Sequence, residues 1–203
     1  MHSEREQFLA RLARAGACVA EPARILDVDL NWAAVAVVVE ILPTLSDLEN
    51  IDVAGRLLCC DAAKGNAAAT RALIDRLRSL NAEAETPRGN YAKLGLATGL
   101  TKTATPAERQ DLIELLSDPR SGLAREPIAE ILSRKAFWEP SLESLFIEHV
   151  HGDPVVCCIR GLAKNGGAAA LAALRAAGKY GLRGAYGHEV QKAIRRLSER
   201  LAR

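Results

Sequence analysis

Aromatic side chains are scarce in this chain: two Trp, three Tyr and three Phe, 4% of 203 residues. Alanine and leucine are abundant instead, which favours helices packed closely through small side chains. Long apolar runs are missing too. The longest uncharged one, Trp32 to Val39, ends at Glu40, far short of the roughly 20 residues a membrane span needs. No membrane association is therefore expected. Cysteine occurs at Cys18, Cys59-Cys60 and Cys157-Cys158, an odd count without framework spacing, which points to free thiols in a reducing cytoplasm. Met1 to Gln7 is charged and carries no targeting signal. There is no nucleophile elbow, no His-Glu-x-x-His, no Cys-x-x-Cys and no dinucleotide fingerprint, so an enzyme is not the expectation and no cofactor is implied. Lys and Arg exceed Asp and Glu by 27 to 25, too small an excess to call for nucleic acid by itself.

What the chain does have is a recurring pair of helices. Asp153-Pro154 gives a helix-start signal, Val155, Cys158, Ile159 and Leu162 recur at three- and four-residue spacings, and Gly166-Gly167 closes the run. A second helix, Ala168 to Ala177, follows with Leu171 and Leu174 on one face. Leu100, Ile131, Leu162 and Ile194 are spaced by about 31 residues, inside the range of stacked repeats. Four residues before each stand Leu96, Pro127, Cys158 and Val190; one residue after those come Ala97, Ile128, Ile159 and Gln191. The polar last member suits a terminal capping repeat.

The stretch Asp153-Pro154-Val155, with Cys158, Leu162, Gly166, Ala169, Ala170, Leu171 and Leu174, resembles a HEAT-type, armadillo-like repeat. Asp118-Pro119 before a helix at Leu123 to Arg134 looks like the preceding copy, with Arg125 matching an arginine frequent in that family. Val156 stands at that place in the next copy. The resemblance covers residues 90–200 well and 30–80 by helix count. It implies an all-α fold, an α-solenoid of stacked antiparallel hairpins in one domain, 1–203, with a protein partner bound along its surface.

Along the chain, Ser3 and Glu6 form a capping box for a helix through Phe8, Leu9 and Leu12 that ends near Gly16. A turn at Ala23 to Val28 follows. Asn31 caps Trp32 to Leu42, stopped by Pro43, with Trp32 read as core. Val35 to Val39 is also compatible with a strand, although its length and context favour a helix. Further helices are expected at Ser46 to Ala63, Ala67 to Leu80 and Tyr91 to Lys102, then from Thr105-Pro106 to Ser117, Pro140 to Val150 and His188 to Leu201. Residues 81–90 read as an enlarged loop or hinge, and Gly178 to Gly187 as a glycine-rich joint.

Several clusters are open to a chemical and to a structural reading. His149, His151 and Cys157 or Cys158 are metal-ligand types, but a two-residue His spacing at a helix end suits a dipole-paired C-terminus better. Adjacent cysteines on a helix point about 100° apart, so at most one of each pair belongs to the core. No basic cluster beside them suggests a nucleophile. Lys179 and Arg183 in the glycine-rich joint suit an anion, yet the stretch lacks the Walker pattern.

Charge is uneven. Asp27 to Asp61 is almost all acidic, whereas Arg175 to Arg203 is mostly basic. The basic end suits an acidic protein or a phosphate backbone, and equally a solvated cap helix. The candidate partner-binding residues are Trp138, Arg175, Lys179, Arg183, Lys192, Arg195 and Arg196, with Trp138 as anchor or as cover of a repeat junction. Arg71, Asp75, Arg78, Asp111, Glu114, Glu143, Ser144 and Glu148 lie on second helices that would line the same surface. The expectation is a non-enzymatic protein-interaction module. The alternative, nucleic-acid binding through the basic end, rests on DNA glycosylases built from HEAT-like repeats.

Overall fold

The computed structural model describes residues 3–17, 30–83, 86–151, 155–179 and 184–203. Among them the secondary structure is entirely helical, with no strand. The chain divides into two compact units, Met1–Pro127 and Ile128–Arg203.

In the first unit, α1 (Glu4–Arg14) opens on the expected capping box: Ser3 Oγ accepts from Glu6 N and Ser3 N donates to Glu6 Oε2. Gly16, at φ 81, turns the chain after it. Asn31 caps α2 (Trp32–Ile41) by accepting from Ala34 N at 2.9 Å. This settles the Val35–Val39 run as helix. Trp32 is not core: it stands at the open end of α2, 65% exposed, while Ala34, Val35, Val38 and Ile41 form the buried stripe. The helix expected over Ser46 to Ala63 is shorter. Asp47 holds the N–H groups of Glu49 and Asn50, so α3 starts at Leu48 and runs to Leu57. Cys59 and Cys60 form a bend before a short 3-10 turn, Asp61–Ala63.

Helix α4 (Ala67–Glu83) buries Leu73, Ile74 and Leu77 as read. The loop-like stretch 81–90 is helical at both ends. Asn81 to Glu83 complete α4, and Thr86 caps α5 (Pro87–Thr103) by accepting from Gly89 N. Thr105 and Glu108 form a capping box ahead of α6 (Arg109–Ser117), which buries Leu112, Leu115 and Leu116. A 3-10 turn, Pro119–Ala124, precedes α7 (Arg125–Leu132), in which the dividing point lies.

Helices α3 and α5 run parallel and touch backbone to backbone. Their matched pairs advance together: Asp52 meets Gly95, Gly55 meets Gly95 and Gly99, and Cys59 meets Thr101. A Cβ on Gly55 would lie 2.5 Å from the Gly95 carbonyl carbon, and one on Gly99 2.5 Å from Gly55 O. The seam therefore has no room for a methyl group. Beside it, fully buried Lys93 donates to Arg120 O at 2.7 Å, and buried Asn81 donates to Ser121 Oγ at 2.8 Å. Arg125, the residue matched to the family arginine, is buried and donates through Nε to Leu116 O. Lys93 and Asn81 thus hold the 119–124 turn by its own backbone and hydroxyl, while Arg125 holds the end of α6, each buried polar group finding a partner.

Glu4 fastens α1 to the start of α3. Burial pushes its carboxyl up, but hydrogen bonds from Asn50, from Ser46 N and Oγ, and from Asp47 N outweigh that and hold it at about 2. The folded value lies below the usual 4.5. The stabilisation is therefore complete above the unfolded value and is lost as pH falls from there through about 2. A Glu4→Gln variant is expected to be less stable than the parent at pH 7, with the gap closing across that acid range in paired urea titrations. An unchanged gap from pH 7 to the acid limit would contradict the assignment.

The second unit contains α8 (Ser141–His151), α9 (Val156–Asn165), α10 (Ala168–Lys179) and α11 (Gly184–Leu201). Helices α9 and α10 each pack against both α8 and α11. Val155, Cys158, Ile159, Leu162 and Leu174 are buried, as their spacing predicts. Asp153 and Pro154 lie outside the described residues. The glycine-rich joint is also helical at both ends, since Gly178 belongs to α10 and Gly184 and Gly187 to α11; residues 180–183 lie outside the described ones. Glu143 of α8 caps α10, accepting from Gly167 N and Ala170 N at 3.0 Å each. Asn165 Nδ2 donates to Ser133 O at 2.7 Å, 32 residues earlier. Of the spaced positions, Leu100, Ile131 and Leu162 are fully buried and Ile194 is half-buried, while Gln191 is exposed. No helix among the described residues is long and apolar enough to cross a membrane.

Candidate partner-binding surface

Helix α11 shows how the chain builds a charged face. Val190, Ala193 and Leu197 recur at helical spacing and are buried, which turns His188, Gln191, Arg195, Arg196, Glu199 and Arg200 outward. Two contacts fix its position. Tyr186 OH donates to Val150 O at 3.0 Å, and the Arg200 guanidinium donates to Gly166 O at the end of α9. A third, Arg160 Nε to Glu189 Oε2 at 3.0 Å, joins the outward stripe of α9 to that of α11. The two contacts between α9 and α11, Arg160 with Glu189 and Gly166 with Arg200, advance in the same direction, so α9 and α11 are parallel neighbours.

The charges on this face do not cancel. Glu189 is held below the usual carboxylate range, chiefly by the hydrogen bond from Arg160, with Lys192 adding its charge from 4.0 Å. By contrast Lys164, Arg175, Arg195 and Arg196 are exposed and make no ion pair among the described residues. The sequence of the second unit holds 12 Lys and Arg against 7 Asp and Glu, a net of +5; the first holds 15 against 18, a net of −3.

Of the residues singled out from sequence, Arg195, Arg196, Lys192 and Arg175 thus lie on outward faces of α11 and α10. Arg183 and the side chain of Lys179 lie outside the described residues. Trp138 does not open a helix; it precedes α8 and meets Phe146 edge to face, with ring centroids 5.3 Å apart at 84°. Glu143 is a helix cap rather than a free surface charge. In the first unit, Arg78 of α4 bridges Asp111 and Glu114 of α6 at 2.7 Å, and Arg71 lies 3.5 Å from Asp111. Those candidates are occupied with one another. His149 lies in α8, Cys157 is half-buried and Cys158 buried, while the His151 side chain is outside the described residues. Among the described residues no group of three or more His, Cys, Asp and Glu is placed to hold a metal.

Sequence reasoning missed one concavity. An open cavity of about 410 Å³ in the first unit is lined by Asp47, Glu49, Asp52, Arg88 and the 58%-exposed Tyr91, among others. The Thr86-Pro87 start signal would have placed Arg88 and Tyr91 in the first turns of α5. Its acids are engaged already: Glu49 pairs with Arg5, Asp52 with Arg56, and Asp47 caps α3. Burial raises Asp52 while Arg56 opposes, and the net shift is upward.

No family model, curated protein or solved structure matches the chain.

Proposed function

We propose that this chain is a non-enzymatic interaction module, built within each unit from HEAT-type hairpins stacked in solenoid fashion, that binds an acidic protein partner. The single observation that carries the partner reading is the uncompensated charge of the second unit. Exposed Arg175, Arg195 and Arg196 make no ion pair among the described residues and belong to the unit whose sequence carries the net positive charge, whereas in the net-negative first unit Arg5, Arg56, Arg71, Arg78 and Lys102 are paired. Unpaired, solvated guanidinium groups are suited to meet carboxylates bidentately at low desolvation cost. The hairpin reading is supported by the parallel pairs α3/α5 and α9/α11. It is also supported by hydrogen bonds that recur within each unit between residues roughly 30–40 apart, as expected where one hairpin leans on the next.

A protein partner is favoured over a phosphate backbone because Glu189 and Glu199 interrupt the basic face. Nor, among the described residues, does that face offer a free aromatic ring for base stacking: Trp138 rests on Phe146, and the Tyr186 hydroxyl is bound to Val150 O. The full chain and its Arg195→Glu/Arg196→Glu variant, immobilised side by side, test this in nuclease-treated lysate. The expected result is one protein retained by the parent and reduced at least about 10-fold on the variant, as loss of two interfacial charge pairs predicts. Equal retention by both would remove the basic face from the binding site. Capture that disappears with nuclease would transfer the function to nucleic acid.

A further inference from the structure

We propose that Cys59 and Cys60 form a peroxide-sensitive dithiol, a modification site that closes to a disulfide between adjacent residues. The same dipeptide occurs twice, and the two settings differ. Cys157 and Cys158 lie inside α9, where helical geometry turns their side chains about 100° apart and Cys158 is fully buried. Cys59 and Cys60 lie in the bend after α3, both half-buried, and Cys60 has extended backbone at φ −112, ψ 163. Only the second pair is free of the helical constraint that keeps neighbouring sulfurs apart.

The surroundings assign roles. Thr101 gives its hydroxyl hydrogen to Thr98 O at 2.6 Å, so its oxygen faces Cys59 Sγ, 3.5 Å away, as an acceptor. The Cys59 S–H therefore points into a hydrogen bond, and Cys60 is the sulfur left to attack. Lys102, paired with Asp61 at 2.7 Å, brings an ammonium group within electrostatic reach of both sulfurs. That cation, drawn in by α5, is invisible in the local sequence around the cysteines.

The chemistry balances with hydrogen peroxide as oxidant. Cys60 thiolate attacks one peroxide oxygen, the O–O bond breaks, and the second oxygen leaves as water after taking a proton. Cys59 sulfur then displaces the hydroxyl of the Cys60 sulfenic acid, again as water, and the S–S bond forms. The dithiol loses two electrons and two protons, and the peroxide becomes two waters. Adjacent Cα atoms are about 3.8 Å apart, shorter than the usual disulfide span of roughly 4.4–6.8 Å. The ring is accordingly strained and easily reopened by a thiol reductant, as a reversible modification requires.

The test treats the full chain with hydrogen peroxide, blocks remaining thiols with N-ethylmaleimide, and maps the peptides by mass spectrometry. The peptide holding Cys59 and Cys60 is expected to lose two hydrogens and take no label, and dithiothreitol should restore both labels. The Cys157-Cys158 peptide should keep its labels throughout. Cys59→Ser should leave a Cys60 sulfenic acid that dimedone traps. Two labelled thiols at 59 and 60 after oxidation, or a crosslink from either to Cys18 or to a second chain, would overturn the proposal.

Discussion

Gly95→Ala is expected to destabilise the first unit by about 3 kcal/mol, the upper range for overpacking a close-packed interior. On helix propensity alone the change should help by about 1 kcal/mol. The contacts decide otherwise. A Cβ at Gly95 would lie 2.5 Å from Asp52 O and 2.8 Å from its Cα, besides striking the Asp52 carboxylate. A side chain tip can swing away, but backbone atoms of a helix cannot, so α3 and α5 must separate and unseat Ile51, Leu96 and Leu100, all fully buried. At roughly 2–4 °C per kcal/mol for a chain of this size, the midpoint should fall by about 10 °C. Gly167→Ala provides the control, because its nearest neighbour is the Glu143 carboxylate at 3.6 Å, and should stay within about 0.5 kcal/mol. Thermal melts followed by circular dichroism compare the two. Equal midpoints would show that the helices do not approach as closely as described.

Phe146→Ala should be as damaging in the second unit. Phe146 is fully buried, faces Trp138 edge on, and presses against Gly161, where a Cβ would strike its ring. Removing a buried phenyl costs about 3–5 kcal/mol, and the lost aromatic pair adds about 1 kcal/mol. The effect has an optical signature. Trp138 loses its cover and its emission should shift to the red, whereas exposed Trp32 contributes a constant background that Trp32→Phe removes. Urea titration of Phe146→Ala in the Trp32→Phe chain, read at the Trp138 emission, gives both quantities. A midpoint unchanged within error, with blue emission retained, would place Trp138 elsewhere.

Helix starts were legible because they depend on neighbours in sequence. Ser3 with Glu6, Asn31, and Thr105 with Glu108 cap the helices they were expected to cap. Thr86-Pro87 carries the same signal, but Glu83, Glu85 and Gly89 around it resemble a loop, so α5 reads as starting late. What depends on a distant partner was not legible. Within one helix Gly55, Gly95 and Gly99 look like weak points, and their role appears only once two backbones are known to meet there. Glu143 reads as surface charge because the helix it caps begins more than twenty residues later. Trp32 reads as core because its size suggests burial, while its place on the first turn of α2 leaves it outside the apolar stripe. Of the binding residues, the outward position of Arg195 and Arg196 follows from helical period. That they form no ion pair among the described residues does not, since Arg78 has the same chemistry and is paired twice.

The crossing of α3 and α5 also constrains how this chain can drift. Leucine, isoleucine and methionine can trade places in most of the interior without loss of shape, and such exchanges soon erase likeness between descendants. A contact made of main chain offers no such freedom, because every other amino acid adds atoms where none fit. In lineages that have otherwise parted, one glycine on the earlier helix and two on the later, a helical turn apart, should be the last letters to fade.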